Sequence, residues 1–393
     1  MDTDNSLALI LREAAALQET MTTIRRDLHR HPELGLREYR TTAKIRDLLA
    51  SMTRAEILNL GLKTGVVAQL PGTDGKKTVA LRADIDALAI TETNTHSFAS
   101  LNPGVMHACG HDGHTAMLLG AAAILDKIRP RHHVRFLFQP AEEGPASGAR
   151  LLLEHDALKD VDVIFGAHLN ATSDFGLVGY CDGPVMAGGL AVELDIIGRG
   201  GHSAYPDECA NPLLAAAAII GGLAQVKDRL HASIPCTIVP TAIHGGKSEN
   251  RIPDRVQLEI RAKFLSAAAE PVLRQELSRL FEHASAIHHT RCETTFIPKL
   301  PVTVNDPRAG TVVRQAAQAL NLPLTKIVPS LGSDDFAYYV QKIPGYYMTF
   351  GIRKGDPFPI AHNPDFDFDE SILPLAAAQL AACATLYEMT DHS

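Results

Sequence analysis

Apolar residues recur at helical spacing from Leu7, Ile10, Leu11 and Ala14 to Ile24 and Leu28, so a helix or two opens the chain over residues 6–30. His31-Pro32 breaks that run, because a proline pushes the preceding residue out of the helical region. Residues 37–52 read as another helix. Val66–Leu70 and Thr78–Leu81 are short apolar runs around Pro71-Gly72-Thr73-Asp74-Gly75, a strand-turn-strand pattern. The alternation continues with a helix over Thr115–Ile128, a strand over Val134–Phe138, a helix near Ser147–His155 and a strand over Val163–Phe165. Strands alternating with helices in this way predict an α/β fold: a mostly parallel sheet with helices on both faces.

The pattern changes near residue 187. It becomes strand (Leu190–Ile197), long helix (Asn211–Leu230), strand (Thr237–His244), strand (Arg255–Phe264), helix (Ala268–His288) and strand (Glu293–Ile297). That β-α-β-β-α-β order is ferredoxin-like. Val256, Leu258, Ile260, Ala262 and Phe264 alternate strictly with Gln257, Glu259, Arg261 and Lys263, the signature of a sheet with one wet face. The expectation is a discontinuous first domain, 1–186 with 298–393, and an inserted second domain, 187–297. The first resumes with a helix near Arg308–Leu320, a strand near Tyr346–Phe350 and a last helix over Ser371–Glu388.

With 393 residues, 46% of them hydrophobic, the chain can bury two sizeable cores. A formal net charge of −8 argues against general affinity for nucleic acid or anionic membranes, which need clustered Lys and Arg. No uncharged apolar run reaches membrane-spanning length; Leu214–Leu223 is short and contains Gly221-Gly222. The N-terminus lacks the basic segment and apolar stretch of a secretory leader. The six cysteines, Cys109, Cys181, Cys209, Cys236, Cys292 and Cys383, are scattered without a C-x-x-C, which suits a reducing compartment rather than a disulfide framework. A cytoplasmic protein is expected.

The densest chemistry lies in Met106-His107-Ala108-Cys109-Gly110-His111-Asp112-Gly113-His114, one thiol and three imidazoles in nine residues. Thiolate and neutral imidazole are ligands for zinc and its divalent neighbours. The plain alternative is a loop with a buried cysteine. Downstream, Phe138-Gln139-Pro140-Ala141-Glu142-Glu143-Gly144 follows a strand, and its paired carboxylates make sense if one binds a metal and the other handles protons. Otherwise they form a solvated turn. Gly166-Ala167-His168 and Ala361-His362-Asn363-Pro364-Asp365-Phe366 add two more histidines. In Arg82-Ala83-Asp84-Ile85-Asp86, two acids end a strand. Strand ends of parallel sheets are where such folds place their sites.

In these motifs, from His31-Pro32-Glu33-Leu34 to His362, nearly the whole chain resembles the metal-dependent amidohydrolase and carboxypeptidase family that includes N-acyl-L-amino-acid amidohydrolases, hippurate hydrolases and plant hydrolases of auxin–amino acid (IAA-amino acid) conjugates. The resemblance implies a dinuclear-metal peptidase-like catalytic domain carrying an inserted lid and dimerisation domain. It implies hydrolysis of the amide of small N-acyl-L-amino acids, with a dipeptidase or carboxypeptidase as the alternative and a silent ligand-binding homologue as a third reading. It also implies a homodimer or higher homo-oligomer and two divalent ions per subunit, zinc or manganese, with cobalt tolerated. The implied metal ligands are Cys109, which bridges, His111, Glu143, His168 and His362. Glu142 is the implied general base. Asp84 is expected beside the metals, holding a ligand's ring. His107 and His114 are expected to be hydrogen-bonded structural residues.

In the inserted domain, Gly198-Arg199-Gly200-Gly201-His202-Ser203-Ala204 supplies His202, implied to contact the substrate and to stabilise the oxyanion, across a dimer interface. Asn250, in Gly245-Gly246-Lys247-Ser248-Glu249-Asn250-Arg251-Ile252-Pro253-Asp254, is implied at the substrate's carboxylate end. Gly332, Gly245 and Gly246 are expected to let backbone approach the ligand. Three departures stand out. Ser333-Asp334-Asp335-Phe336 has Asp334 where the family has Glu. Leu169-Asn170-Ala171-Thr172 lacks the usual proline or bulky residue. Arg251 stands at a usually apolar position, where it either selects acidic substrates or pairs with Asp254 at the surface.

Overall fold

Every residue of the strand Thr78–Asp84 is buried, as a strand covered on both faces requires. In the computed structural model, which describes residues 3–144, 146–231 and 235–387, this strand sits inside an eight-stranded sheet. Its order is Glu56–Ile57, Val66–Leu70, His133–Gln139, Thr78–Asp84, Val163–Asp174, Gly345–Arg353, Val178–Tyr180, Leu324–Lys326. The central run from His133–Gln139 to Gly345–Arg353 is parallel. Val66–Leu70 joins it antiparallel on one side and Val178–Tyr180 on the other. The sheet is therefore mixed and mostly parallel, as the β-α alternation predicts.

Helices His111–Ile128 and Ile372–Leu386 are buried along most of their length, and they share one core with Phe136, Phe165 and Met348 of the sheet. Apolar residues around the whole circumference suit such a position. The first of these helices starts four residues earlier than the apolar run suggests. Gly110, at φ +81°, turns the chain into it, so His111 and Asp112 form its first turn. The three-residue strands and the Glu56–Ile57 pair are too short to leave a periodicity in the sequence. The last helix ends at Leu386, with Tyr387 extended rather than helical; Glu388, its predicted end, lies outside the described residues.

The chain divides into two units, Met1–Gly183 with Val304–Val328 and Tyr338–Ser393, and Pro184–Thr303 with Pro329–Ala337. The second holds a four-stranded antiparallel sheet in the order Cys236–His244, Arg255–Phe264, Gly188–Ile197, Arg291–Pro298. Val256, Leu258, Ile260, Ala262 and Phe264 face a core shared with Ile219 and Leu223 of helix Pro212–His231 and with Leu273, Leu277 and Phe281 of helix Ala269–His288. This is the ferredoxin-like arrangement. Pro329–Ala337 returns to this unit because Ser330 N–H donates to Val185 O, Ala187 N–H to Gly332 O and the Ser333 hydroxyl to Ala187 O. Nothing periodic in that stretch announces the return, which the division at 187 and 297 leaves with the first domain.

Candidate metal centre and active site

Three segments of the first unit converge at the carboxyl ends of the parallel strands. Strand His133–Gln139 runs into Pro140–Gly144, strand Val163–Asp174 carries His168, and the turn before helix His111–Ile128 carries Cys109. Cys109 Sγ lies 3.4 Å from His168 Nε2. His362 Nε2 lies 3.1 Å from Glu143 Oε1. The ligand atoms of Cys109, His111 and His168 all lie within 4.8 Å of one another, and so do those of Cys109, Glu143 and His362, and those of His111, Glu142 and Glu143. Cys109 thus belongs to two donor groups. Ala141 (φ 48°) and His362 (φ 70°) here are left-handed without being glycine.

The rings are oriented for donation. His111 Nδ1 bonds Asp86 O at 2.9 Å and His168 Nδ1 bonds Leu169 O at 2.7 Å, so in each neutral ring Nδ1 carries the hydrogen and Nε2 the lone pair. His111 Nε2 is buried and makes no hydrogen bond. A buried imidazole lone pair beside a thiol and carboxylates fits a metal ion, and so does the mixed sulfur, nitrogen and oxygen donor set.

Burial alone would push the Cys109 thiol up, but the imidazoles of His168 and His111 outweigh it and bring it down to about 6. Burial opposes charge on His168 too, yet the Cys109 thiolate raises it to about 9. Hydrogen bonds with Cys109 and Glu143 raise His362 to about 10. The cluster already favours thiolate, the ligand form of cysteine.

Asp84 lies beside the cluster, its Oδ1 3.7 Å from His111 Nε2, but its hydrogen bonds go to other groups. It bonds Arg82 Nη1 at 2.6 Å and His114 Nδ1 at 2.5 Å. The carboxylate that braces the cluster is Asp86, with Oδ1 3.3 Å from His111 Nδ1 and Oδ2 accepting from Glu143 N–H at 2.9 Å. Sequence reasoning named Asp84 and missed Asp86, which lies beyond the strand's end, where alternation no longer fixes a face. His114 is hydrogen-bonded on both nitrogens, its Nε2 accepting from Leu169 N–H at 3.0 Å. His107 departs from expectation: it is 2% exposed and neither ring nitrogen makes a hydrogen bond. Burial pushes it down to about 3, so it is neutral.

In the second unit, His202 and Arg251 face each other across a two-residue ladder, and Ser203 N–H donates to Asn250 O at 3.0 Å. The two motifs, nearly fifty residues apart in sequence, thus form one surface. His202 is exposed, and its Nδ1 accepts from Ala204 N–H at 3.0 Å, which leaves Nε2 as the donor of the neutral ring. Arg251 bonds Asp254 at 2.9 Å, both side chains well exposed. Gly332 sits on the returning segment, its N–H bonded to Ser330 Oγ at 3.0 Å. Asp334 is buried and accepts from Phe336 N–H at 2.7 Å.

Residues 80–385 match Peptidase family M20/M25/M40. The chain is 38% identical over 375 residues to the N-acetylcysteine deacetylase of Bacillus subtilis, covering 94% of this chain and 97% of that one. It is 34% identical to thermostable carboxypeptidase 2 of Saccharolobus solfataricus, covering 94% and 95%. Among solved structures, the Bacillus subtilis YXEP protein, described as a dinuclear metal binding peptidase from the M20 family, superposes with a TM-score of 0.86 at 36% identity, covering 94% and 98%. The chain belongs to the M20/M25/M40 peptidase family. It is a hydrolytic enzyme acting on amide bonds.

Proposed function

We propose that the chain hydrolyses the amide bond of small N-acyl-L-amino acids, releasing a carboxylic acid and a free amino acid. It does so at a two-metal centre held by Cys109, His111, Glu143, His168 and His362. The observation that carries the reading is the sharing of Cys109 between two donor groups, with Glu142 grouped beside His111 and Glu143. Divalent ions there, zinc or manganese with cobalt as a substitute, supply Lewis acidity toward the scissile carbonyl and the attacking water.

The chain's own groups do the rest. Glu142 takes a proton from the attacking water as the carbon–oxygen bond forms. It hands that proton to the nitrogen as the carbon–nitrogen bond breaks. Asp86 fixes the peptide of Glu143 and the ring of His111, so the pair Glu142-Glu143 is held with one carboxylate for metal and one for protons. His202 offers its Nε2 hydrogen to the developing oxyanion. Asn250, on the same ladder surface, receives the substrate's carboxylate end, and Gly332 offers a backbone without a side chain. Arg251 is engaged by Asp254 and does not select acidic substrates. The inserted ferredoxin-like domain serves as lid and dimer surface, and sedimentation as a monomer alone would count against that part.

The likeness to a carboxypeptidase supports a second reading, cleavage of free dipeptides at the same centre. Initial rates on N-acetyl, N-benzoyl and indole-acetyl amino acids beside free dipeptides separate the two. Higher kcat/KM on the acylated set supports the first reading, and preference for dipeptides replaces it with the second.

A further inference from the structure

Joined to the Asp112 carboxylate through His29 lies a second group of donors that the amide chemistry does not use. His29 Nε2 is 3.0 Å from Glu92 Oε1. His96 Nε2 is 3.4 Å from the same oxygen and 3.9 Å from Asp367 Oδ2. Ligands about 2.05 Å from a tetrahedral zinc ion are spaced roughly 3.3 Å apart, so these separations are those of one coordination shell.

The surroundings are built for a cation. His29 Nδ1 bonds Asp112 Oδ2 at 2.8 Å, the carboxylate–imidazole arrangement that directs Nε2 toward a metal. Glu92 is held by Ser100 N–H at 2.6 Å and Asn94 Nδ2 at 3.2 Å. Phe98 stacks on His96 at 3.7 Å between ring centroids and fixes its plane. Both His96 nitrogens are buried atoms without a hydrogen bond, which a ligand to one of them would remedy. Four carboxylates, Glu92, Asp112, Asp367 and Glu370, meet only two guanidinium groups, Arg25 and Arg26, in this hydrogen-bonded network. Burial opposes charge on His29, but Asp112 and Glu92 outweigh it and raise His29 to about 9. The resting network therefore carries one unbalanced negative charge, and two once that ring's proton is displaced, which a divalent ion would balance. The side chains of His96 and Asp367 are 21% and 35% exposed, so the group lies near the surface.

We propose that His29, Glu92, His96 and Asp367 form a further divalent-cation site, of the zinc class given two imidazoles and two carboxylates. Its ion ties helix Gln18–Arg30 to the loop at residues 92–100 and to the segment after Phe366. Binding replaces the proton on His29 Nε2, which is released to solvent. The site does not depend on the proposed amide chemistry.

The test uses the full chain, stripped of metal, reloaded with excess cobalt(II), desalted and counted by plasma mass spectrometry. E92Q and H96N are each expected to hold one ion fewer per chain than wild type, with amide hydrolysis unchanged. C109S with E92Q is expected to hold one ion fewer than C109S alone, and the cobalt absorption lost between them lacks thiolate charge transfer. Equal counts in wild type, E92Q and H96N overturn the site. A C109S count equal to wild type, with E92Q still one lower, contradicts the two-metal centre and leaves this site standing.

Discussion

Gly148 opens the helix Gly148–Glu154 directly under the segment that carries Glu142 and Glu143. A Cβ built on it lies 1.5 Å from Pro140 O and 2.6 Å from Pro140 C. Real Cβ atoms essentially never approach closer than 3.0 Å, so G148A must move the Pro140 peptide, the helix start, or both by at least 1.5 Å in total. The contact is with backbone, so no side chain can swing aside. Gly148 N–H also donates to Ala141 O at 2.8 Å, and that bond ties the helix to the strained Ala141. Overpacking of this kind costs about 1–3 kcal/mol. A displacement of about 1 Å at a catalytic group costs on the order of 10²-fold in rate. G148A is therefore expected to lower kcat about 10²-fold with a Tm lower by a few degrees. G221A is the control: Gly221 lies within helix Pro212–His231 with nothing within 4 Å of its added Cβ, so that variant is neutral or more stable by up to about 1 kcal/mol. Steady-state kinetics on an N-acetyl amino acid and thermal melts read both. A G148A enzyme with wild-type kcat and Tm would refute the claim that this glycine sets the position of Glu142 and Glu143.

Arg25, 1% exposed, bonds Asp112 at 2.8 Å and Asp367 at 2.6 Å, so R25M leaves a buried carboxylate short of a partner and is expected to cost about 3–5 kcal/mol in chemical denaturation. Burial would raise Asp112, but Arg25 and His29 hold it well below the usual carboxylate range. Its stabilisation is therefore full above that range and is lost as pH falls. Wild-type stability is expected to start dropping below about pH 5 and to keep dropping well past about pH 3, and R25M to level off at a higher pH. C109S is expected to lower the number of ions retained after dialysis, measured by mass spectrometry, because a hydroxyl does not ionise as the thiol does; an unchanged count would count against Cys109 as a ligand. R251A is expected to change kcat/KM equally for acidic and neutral acyl-amino acids, and selective loss on acidic ones would restore a selecting role for Arg251.

The parts of this protein that were legible in its sequence are those whose signal is local. The buried strand Thr78–Asp84, the alternating strand Arg255–Phe264 and the ferredoxin-like order all follow from periodicity. The cysteine and double-glutamate motifs announce themselves by composition. What was not legible depends on partners distant in sequence. Asp86 and Asp84 look equivalent until the chain bends past the strand's end and gives one to His111 and the other to His114. His107 looks like any polar histidine, yet its pocket offers no hydrogen bond to either nitrogen. Pro329–Ala337 carries no pattern, and its bonds to Val185, Ala187 and Lys263 place it with the second unit. The buried network around Arg25 joins residues more than 300 positions apart, so no window of sequence could contain it.

In the proposed mechanism, Glu142 moves the proton at a metal centre it does not itself hold. The most direct measurement compares wild type and E142Q, each metal-stripped and reloaded with zinc, manganese or cobalt, for ions bound per chain and for kcat on N-acyl amino acids. That mechanism predicts the same number of ions in both proteins, metal-dependent turnover in wild type, and a kcat lower by about 10²–10⁴-fold in E142Q. Turnover in E142Q near wild type, or activity that survives metal removal, would contradict it.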